Sequence, residues 1–127
     1  MKKFFLIMLV MIVGLSLTGI VSADDKDAIK AQVDEIVVAI DGGKMATDFS
    51  DAANKKPHYV YIMEESGTLV VHPSLAGKSL KEAAAPAYDA VVQATPDGTW
   101  VKYEWKGKEK NAYVRKTKSG AIVGSGY

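Results

Sequence analysis

Two β-rich runs separated by a short turn form the stretch that most constrains how this chain can fold. Residues 58–73 read HYVYIMEESGTLVVHP. Apolar and aromatic residues on both sides of a short Gly-containing turn are typical of two paired strands. Pro73 cannot donate a hydrogen bond to a strand ladder, so the second strand should end there. Residues 58–73 therefore predict an antiparallel β-hairpin.

The alternation of side chains divides this hairpin into two faces. With a period of two, Tyr59, Tyr61 and Met63 share one face of the first strand, and the residues between them share the other. His72 closes the second strand. Two phenols and a histidine close together in an apolar hairpin can line a small binding pocket.

Residues 1–23 have the three parts of a secretory signal peptide. Lys2 and Lys3 precede an apolar run, and small residues occupy positions 21–23. We expect cleavage after Ala23, leaving a single domain at residues 24–127 that is periplasmic or secreted. An uncleaved membrane anchor is the alternative, because residues 4–22 are about long enough to cross a bilayer.

Composition excludes several classes of site. The chain has no cysteine, so it can hold no disulfide, catalytic thiolate or zinc–thiolate site. Its 16 basic and 15 acidic residues nearly balance. The lysines near the C-terminal end fall on or between predicted strands, as on a solvated sheet face, so we expect no nucleic-acid partner. The two histidines are predicted on opposite faces of the hairpin, which is a poor set for a metal. We expect no metal and no cofactor.

Helical patterns flank the hairpin. Apolar residues at positions 29, 33, 36, 37 and 40 form one stripe of an amphipathic helix that ends at Gly42 and Gly43. A second, shorter helix is predicted over residues 45–53. Ser79 and Glu82 have the spacing of a capping box for an Ala-rich helix, which is interrupted at Pro86 and continues to residue 94.

Three further strands are predicted after the turn at residues 95–98, over residues 99–105, 112–115 and 121–127, with residues 106–109 as a hairpin loop. Strands joined mostly by tight turns predict an α+β fold, a five-stranded antiparallel sheet with helices on one face. The glycines of the last strand should let its backbone approach a neighbour.

Several fragments are informative as an ordered set. They are Tyr59-Val60-Tyr61, Val71-His72-Pro73, Gly77-Lys78, residues 98–105, residues 110–114 and residues 123–127. Together they resemble a single Cache domain, the extracytoplasmic sensory module of bacterial and archaeal chemoreceptors and histidine kinases. The resemblance implies a PAS-like five-stranded antiparallel sheet with a long N-terminal helix packed on one face and a ligand pocket on the other. It also implies reversible binding of a small organic molecule, often a short-chain carboxylate such as acetate, propionate, lactate or pyruvate.

The sequence departs from this family at two places. The loop between the third and fourth strands is short. Residues 83–86 read AAAP where the family has a segment rich in Asp and Gly, so the resemblance does not extend to the segment that forms the lid of the pocket.

The candidate ligand-binding residues are Tyr61, His72, Tyr103, Trp105 and Lys110. The resemblance places Lys110 where it can pair with a carboxylate, a strong charge-assisted contact. Tyr61 and His72 are expected to form hydrogen bonds with the ligand, and the charge of His72 to respond near neutral pH. Tyr103 and Trp105 are expected to wall the pocket.

Each of these residues also has an ordinary interpretation. Lys110 can be one more solvated lysine, His72 can be satisfied by local backbone, and the aromatic side chains can be plain core. Trp100, on the opposite face of its strand, is expected to pack against the N-terminal helix.

The favoured function is an exported, stand-alone sensory domain that binds a small organic acid. No output segment follows Tyr127, so we expect signalling through a separate membrane receptor or kinase, or through a homodimer along the N-terminal helix. The alternative is an envelope interaction module with a vestigial pocket and no ligand. An enzyme is not expected, since Gly124-Ser125-Gly126 lacks the strand-to-helix setting of a nucleophile elbow.

Overall fold

A five-stranded antiparallel sheet organises the computed structural model, which describes residues 23–127. The strands are β1 (Val60–Met63), β2 (Leu69–Val71), β3 (Thr99–Trp105), β4 (Lys108–Lys116) and β5 (Ile122–Gly126). They lie in the order β2-β1-β5-β4-β3, so β5 at the C-terminal end joins the first hairpin to the second. The predicted α+β class is confirmed. Apart from Ala23, the predicted signal peptide lies outside the described residues.

One face of the sheet is covered by helix α1 (Ala23–Asp41), which contacts β4 and β5. Its apolar stripe is buried at Ile29, Val33, Ile36 and Val37, as predicted. Burying each such side chain contributes about 1.5–3 kcal/mol, which fixes the rotation of the helix. Within residues 23–127, no helix is both long and apolar enough to span a bilayer.

A 3₁₀ segment, Ala46–Asn54, follows α1 and replaces the predicted α-helix over residues 45–53. Its backbone kinks at Phe49. The Asp48 carboxylate accepts from the Met45 amide, and the Ser50 hydroxyl donates to the Thr47 carbonyl. Such short-range bonds from Ser and Asp compete with the α-helical ladder and favour tight turns.

The other face of the sheet is covered by two short helices, α2 (Leu80–Ala83) and α3 (Ala85–Val91). The predicted cap is present, since the Ser79 hydroxyl accepts from the Glu82 amide at 3.4 Å. The break falls at Ala84, earlier than predicted, because Pro86 is tolerated in the first turn of a helix. Placing all helices on one face was therefore wrong: α3 packs on β3, opposite α1.

The loop that joins β3 to β4 is shorter than predicted. Only Lys106 and Gly107 lie between the strands, with φ angles of 52° and 80°. Two successive positive φ angles suit a two-residue hairpin, because their twist matches that of paired strands. The ladder consequently extends from Trp105 and Lys108 to Thr99 and Val114.

Candidate functional site

The first hairpin brings three rings together on the α2–α3 face of the sheet. Tyr61 is buried in β1, Tyr59 immediately precedes this strand, and His72 immediately follows β2. The centroid of the His72 ring lies 5.9 Å from that of Tyr59 and 6.5 Å from that of Tyr61. Val60 and Ile62 belong to the core beneath α1. The predicted division of the hairpin into two faces is confirmed.

The second hairpin adds Tyr103 and Trp105 from β3. The Tyr61 and Tyr103 hydroxyls lie 3.4 Å apart, and the ring centroids of His72 and Trp105 lie 5.9 Å apart. Two strands separate β1 from β3, and each has a small residue on this face, Gly124 on β5 and Ala112 on β4. The Tyr61 ring lies over Gly124 of β5, where an added Cβ would come within 2.5 Å of it. On β4, the buried residues of this face are Ala112, opposite Val101, and Val114, opposite Thr99.

These rings enclose a small cavity beneath α2 and α3. Its lining residues are Tyr59, Tyr61, Leu69, His72, Leu80, Ala87, Val91, Tyr103 and Trp105. The cavity volume of about 10 Å³ is room for about one water molecule. The described conformation is therefore closed, and a larger molecule requires the rings or the α2–α3 cover to move.

The structure fixes the protonation state of His72. Nδ1 accepts hydrogen bonds from the amides of Ser74, at 3.0 Å, and Leu75, at 2.9 Å. Nδ1 therefore carries no proton, and the neutral ring has its proton on Nε2. Burial, together with the positive charge of Lys106, lowers the pKa of His72 to about 4. The predicted response near neutral pH was wrong, because both burial and backbone hydrogen bonding favour the neutral ring.

The three tyrosines around the cavity are also neutral. Burial raises the pKa of Tyr59, Tyr61 and Tyr103, most strongly for Tyr61. Together with His72 and Trp105 they give the cavity five neutral groups that can donate a hydrogen bond, while the remaining lining residues are aliphatic side chains. No lining residue is acidic. The chemistry of the lining suits an acceptor-rich molecule.

Lysines lie at two sides of the aromatic group. The predicted residue Lys110 is not in a loop before the strand but within β4, opposite Tyr103, because the turn is only two residues long. Its Nζ lies 5.8 Å from the centroid of the Tyr59 ring. Nζ of Lys106 lies 5.8 Å from the centroid of the Trp105 ring. Neither lysine lines the cavity, and both contribute positive potential beside it.

The structure brings together four of the five candidate residues, Tyr61, His72, Tyr103 and Trp105, and leaves Lys110 at the edge. Tyr59 also lines the cavity but was not among the five candidates, although it lies on the same predicted strand face as Tyr61. Lys106 was missed because it was counted in a solvated loop, and its positive φ cannot be read from the residue itself. The aliphatic cover was missed because α2 and α3 were assigned to the wrong face.

Other concave regions are larger but less suited to a small ligand. One of them, about 670 Å³, lies between the end of α1 and the tip of the first hairpin. It is an open surface groove, and its polar side chains, including Lys44, Glu64 and Glu65, are exposed. Among the described residues, no group of histidine and acidic side chains is arranged to hold a metal ion.

Comparison with solved structures supports the fold. No protein-family model matches this sequence, and no curated protein is similar to it. The chain is similar to a methyl-accepting chemotaxis protein from Vibrio parahaemolyticus RIMD 2210633, with a TM-score of 0.53 and 15% sequence identity. The match covers 82% of this chain and 88% of the other. At this identity the likeness concerns the fold alone.

A second solved structure is less similar. It is the ligand-binding domain of the Pseudomonas fluorescens chemoreceptor CtaA in complex with L-alanine, with a TM-score of 0.42 and 20% sequence identity. The match covers 63% of this chain and 35% of the other, and this likeness is too weak to relate the two sites.

Proposed function

We propose that this chain is an extracytoplasmic sensory domain that reversibly binds a small organic acid between the sheet and the α2–α3 cover. The observation that carries the proposal is the chemistry of the cavity. Its lining has neutral donors, aromatic walls and no acid, and two lysines lie beside it. Sites for small ligands typically combine apolar walls with a few placed polar groups.

The proposed contacts follow from the available donors. The His72 ring has a proton on Nε2, and no partner for Nε2 is found among the described residues, so this group is free to donate to a carboxylate. The Tyr61 and Tyr103 hydroxyls now face each other at 3.4 Å, longer than the usual O–H···O distance of about 2.7–2.8 Å. A carboxylate between them would accept from both. Lys106 and Lys110 would supply the compensating charge.

Binding requires the closed cavity to open, because about 10 Å³ cannot hold even a two-carbon acid. The α2–α3 cover is suited to move. It consists of two short helices with a break at Ala84, and its buried contacts are Leu80, Val91 and the small residues Ala87 and Ala90. Displacing this cover is the change that we propose a signalling partner detects. The partner would be a membrane receptor or kinase, and export would depend on residues 1–23.

The proposal is a binding domain and not an enzyme. His72 is poorly placed to act as a general base, since Nδ1 accepts from two backbone amides and Nε2 already carries the proton. The phenols of Tyr59, Tyr61 and Tyr103 stay protonated near neutral pH because burial raises the pKa of each.

Titration calorimetry of the purified protein against acids of two to four carbons tests the proposal. Lys106→Asn is the sharpest variant: it removes the charge, and asparagine tolerates the positive φ at this position, so the turn should fold. Lys110→Ala removes the second charge. Both should weaken binding, whereas Lys55→Ala, at an exposed lysine beside the 3₁₀ segment, should not. Equal ligand affinity in all three variants would show that neither Lys106 nor Lys110 contributes to binding.

The closed cavity favours one alternative, an interaction module whose pocket has lost its ligand. Thermal unfolding in the presence of candidate metabolites separates the two. A ligand at a hundredfold excess over its Kd should stabilise the protein by about 2.7 kcal/mol. No stabilisation across a broad panel would support the interaction module.

A further inference from the structure

The outer edge of β3 is an unpaired strand edge. Residues 99–105 pair with β4 on one side, and no other strand or backbone hydrogen bond occupies their other side within the described chain. The two-residue turn makes Trp105 and Lys108 a hydrogen-bonded pair. The alternate residues Trp100, Lys102 and Glu104 therefore direct their backbone groups outward.

The α1 face of this strand is also uncovered. Helix α1 packs on β4 and β5, and the side chains of Lys102 and Glu104 are exposed. Trp100 remains 39% exposed, although its ring contacts Tyr113 and Tyr127. A long edge with an exposed tryptophan is a template for pairing with another chain.

The charges on this edge are unbalanced within one copy. Glu104 lies directly opposite Glu109 of β4, a like-charge cross-strand pair that is destabilising. Among the described residues, neither glutamate forms an ion pair, and nor does Lys102. A cation from another molecule beside Glu104 would relieve this repulsion.

We propose that β3 pairs antiparallel with β3 of a second copy, in a register centred on Tyr103. Two-fold symmetry then places Lys102 of each copy opposite Glu104 of the other. The dimer therefore gains two ion pairs, one on each side of the axis. Registers centred on Lys102 or Glu104 would place like charges on the axis. Isolated charges on an edge strand oppose pairing in general, but this arrangement favours the self-complementary register centred on Tyr103 over those centred on Lys102 or Glu104.

The pairing would join the two sheets into one and place the two cavities side by side, because Tyr103 and Trp105 line the cavity from the same strand. The proposal does not depend on a ligand. The proposed dimer also differs from a dimer formed along α1. Val38 of α1 is 64% exposed, so a substitution there tests that alternative separately.

Sedimentation equilibrium of the purified protein tests the pairing. The wild type should form dimers, and Lys102→Glu should raise the dimer Kd by roughly tenfold or more, since it creates two like-charge pairs across the axis. Glu104→Lys should do the same. The double variant Lys102→Glu/Glu104→Lys should restore the wild-type Kd, because the complementarity is reversed and not removed.

The double variant also controls for folding, as its composition equals that of the wild type. A wild type that stays monomeric at millimolar concentration would overturn the proposal. So would a dimer that dissociates with Val38→Asp but not with Lys102→Glu, since that dimer would be held by α1. Failure of the double variant to recover would equally contradict the register.

Discussion

The hydroxyl oxygens of Tyr61 and Tyr103 lie 3.4 Å apart across a sheet in which two strands separate their backbones. The approach is possible because Gly124 has no side chain on this face of the sheet, so the Tyr61 ring can lie directly over its backbone. The cavity therefore depends on small residues in the middle strands as much as on the rings that line it.

Gly124→Ala should displace the Tyr61 ring and destabilise the protein. The added Cβ would come within 2.5 Å of the Tyr61 ring, which must shift or tilt. Overpacking of this kind costs about 1–3 kcal/mol. Urea unfolding measures the loss, with Gly42→Ala as the control because that site is exposed and an added Cβ there would come no closer than 3.3 Å to its neighbours, so its effect should be smaller. Equal effects at both positions would argue against the close contact.

Tyr103→Phe should leave the hydroxyl of Tyr61 without a partner. Tyr61 is only 5% exposed, and an unsatisfied buried hydroxyl costs about 1–3 kcal/mol. The double variant Tyr61→Phe/Tyr103→Phe removes both hydroxyls and should recover part of that loss. A double-mutant cycle in urea measures the coupling between the two rings. Purely additive effects would mean that the hydroxyls do not interact.

His72 should make stability depend on pH. The pKa in the folded chain is about 4, compared with an ordinary value of 6.5. Between these values the unfolded chain binds a proton at His72 and the folded chain does not, so stability falls as the pH is lowered from 6.5 to 4. For a half-exposed ring we expect about 1–2 kcal/mol after solvent screening.

His72→Asn tests the cause. The Asn side-chain oxygen can accept from the Ser74 and Leu75 amides in place of Nδ1 but does not titrate. Its unfolding free energy should therefore depend less on pH across this window. An NMR titration of the wild type reports the pKa directly, and a value near 6.5 would contradict the closed, backbone-bonded ring.

A network of hydrogen bonds joins α1 to the sheet on the face opposite the cavity. Asp34 accepts hydrogen bonds from Lys30, Arg115 and Tyr113. Arg115 also donates from Nε to the Pro96 carbonyl at 2.6 Å. Burial raises the pKa of Asp34, but the hydrogen bonds from these three side chains outweigh it and hold the pKa below its ordinary value.

Asp34→Ala should lower the unfolding free energy by about 1–3 kcal/mol, since Tyr113 and Arg115 each lose an acceptor. This contribution is present above the unfolded pKa of 3.8 and is lost as the pH falls through the lower folded value. Urea unfolding at several pH values measures it, with Asp27→Ala at an exposed position of α1 as the control. A difference that persists unchanged at very low pH would show that the charge of Asp34 is not involved.

Local patterns in the sequence were enough to predict the sheet and α1. Burial of one face produces the alternation at Tyr59, Tyr61 and Met63 and the helical stripe from Ile29 to Val37. Each pattern can be recognised within one strand or helix, without knowledge of its neighbours. The face covered by α2 and α3 was not predictable in this way, because five of the twelve residues 80–91 are alanine and the segment has no strongly apolar stripe to orient it.

The site was predictable only as a set of residue types. Tyr61, His72, Tyr103 and Trp105 were identified from strand faces, but the contact between their rings depends on the strand order, in which β5 lies between the two hairpins. The pKa of His72 depends on its burial and on the charge of Lys106, and the position of Lys106 depends on a positive φ. These are properties of the folded backbone and not of the residues.

The two tryptophans offer the most direct test of the binding site, because they lie on opposite faces of β3. Trp105 lines the cavity, and Trp100 contacts Tyr113 and Tyr127 on the α1 side. Each indole N–H gives one cross-peak in a ¹H–¹⁵N correlation spectrum, and Trp100→Phe assigns them. Titration with short-chain carboxylates should shift the Trp105 peak in a saturable manner and leave the Trp100 peak in place. A Trp105 peak that does not move with any acid, or a saturable shift at Trp100 alone, would contradict a ligand site beneath α2 and α3.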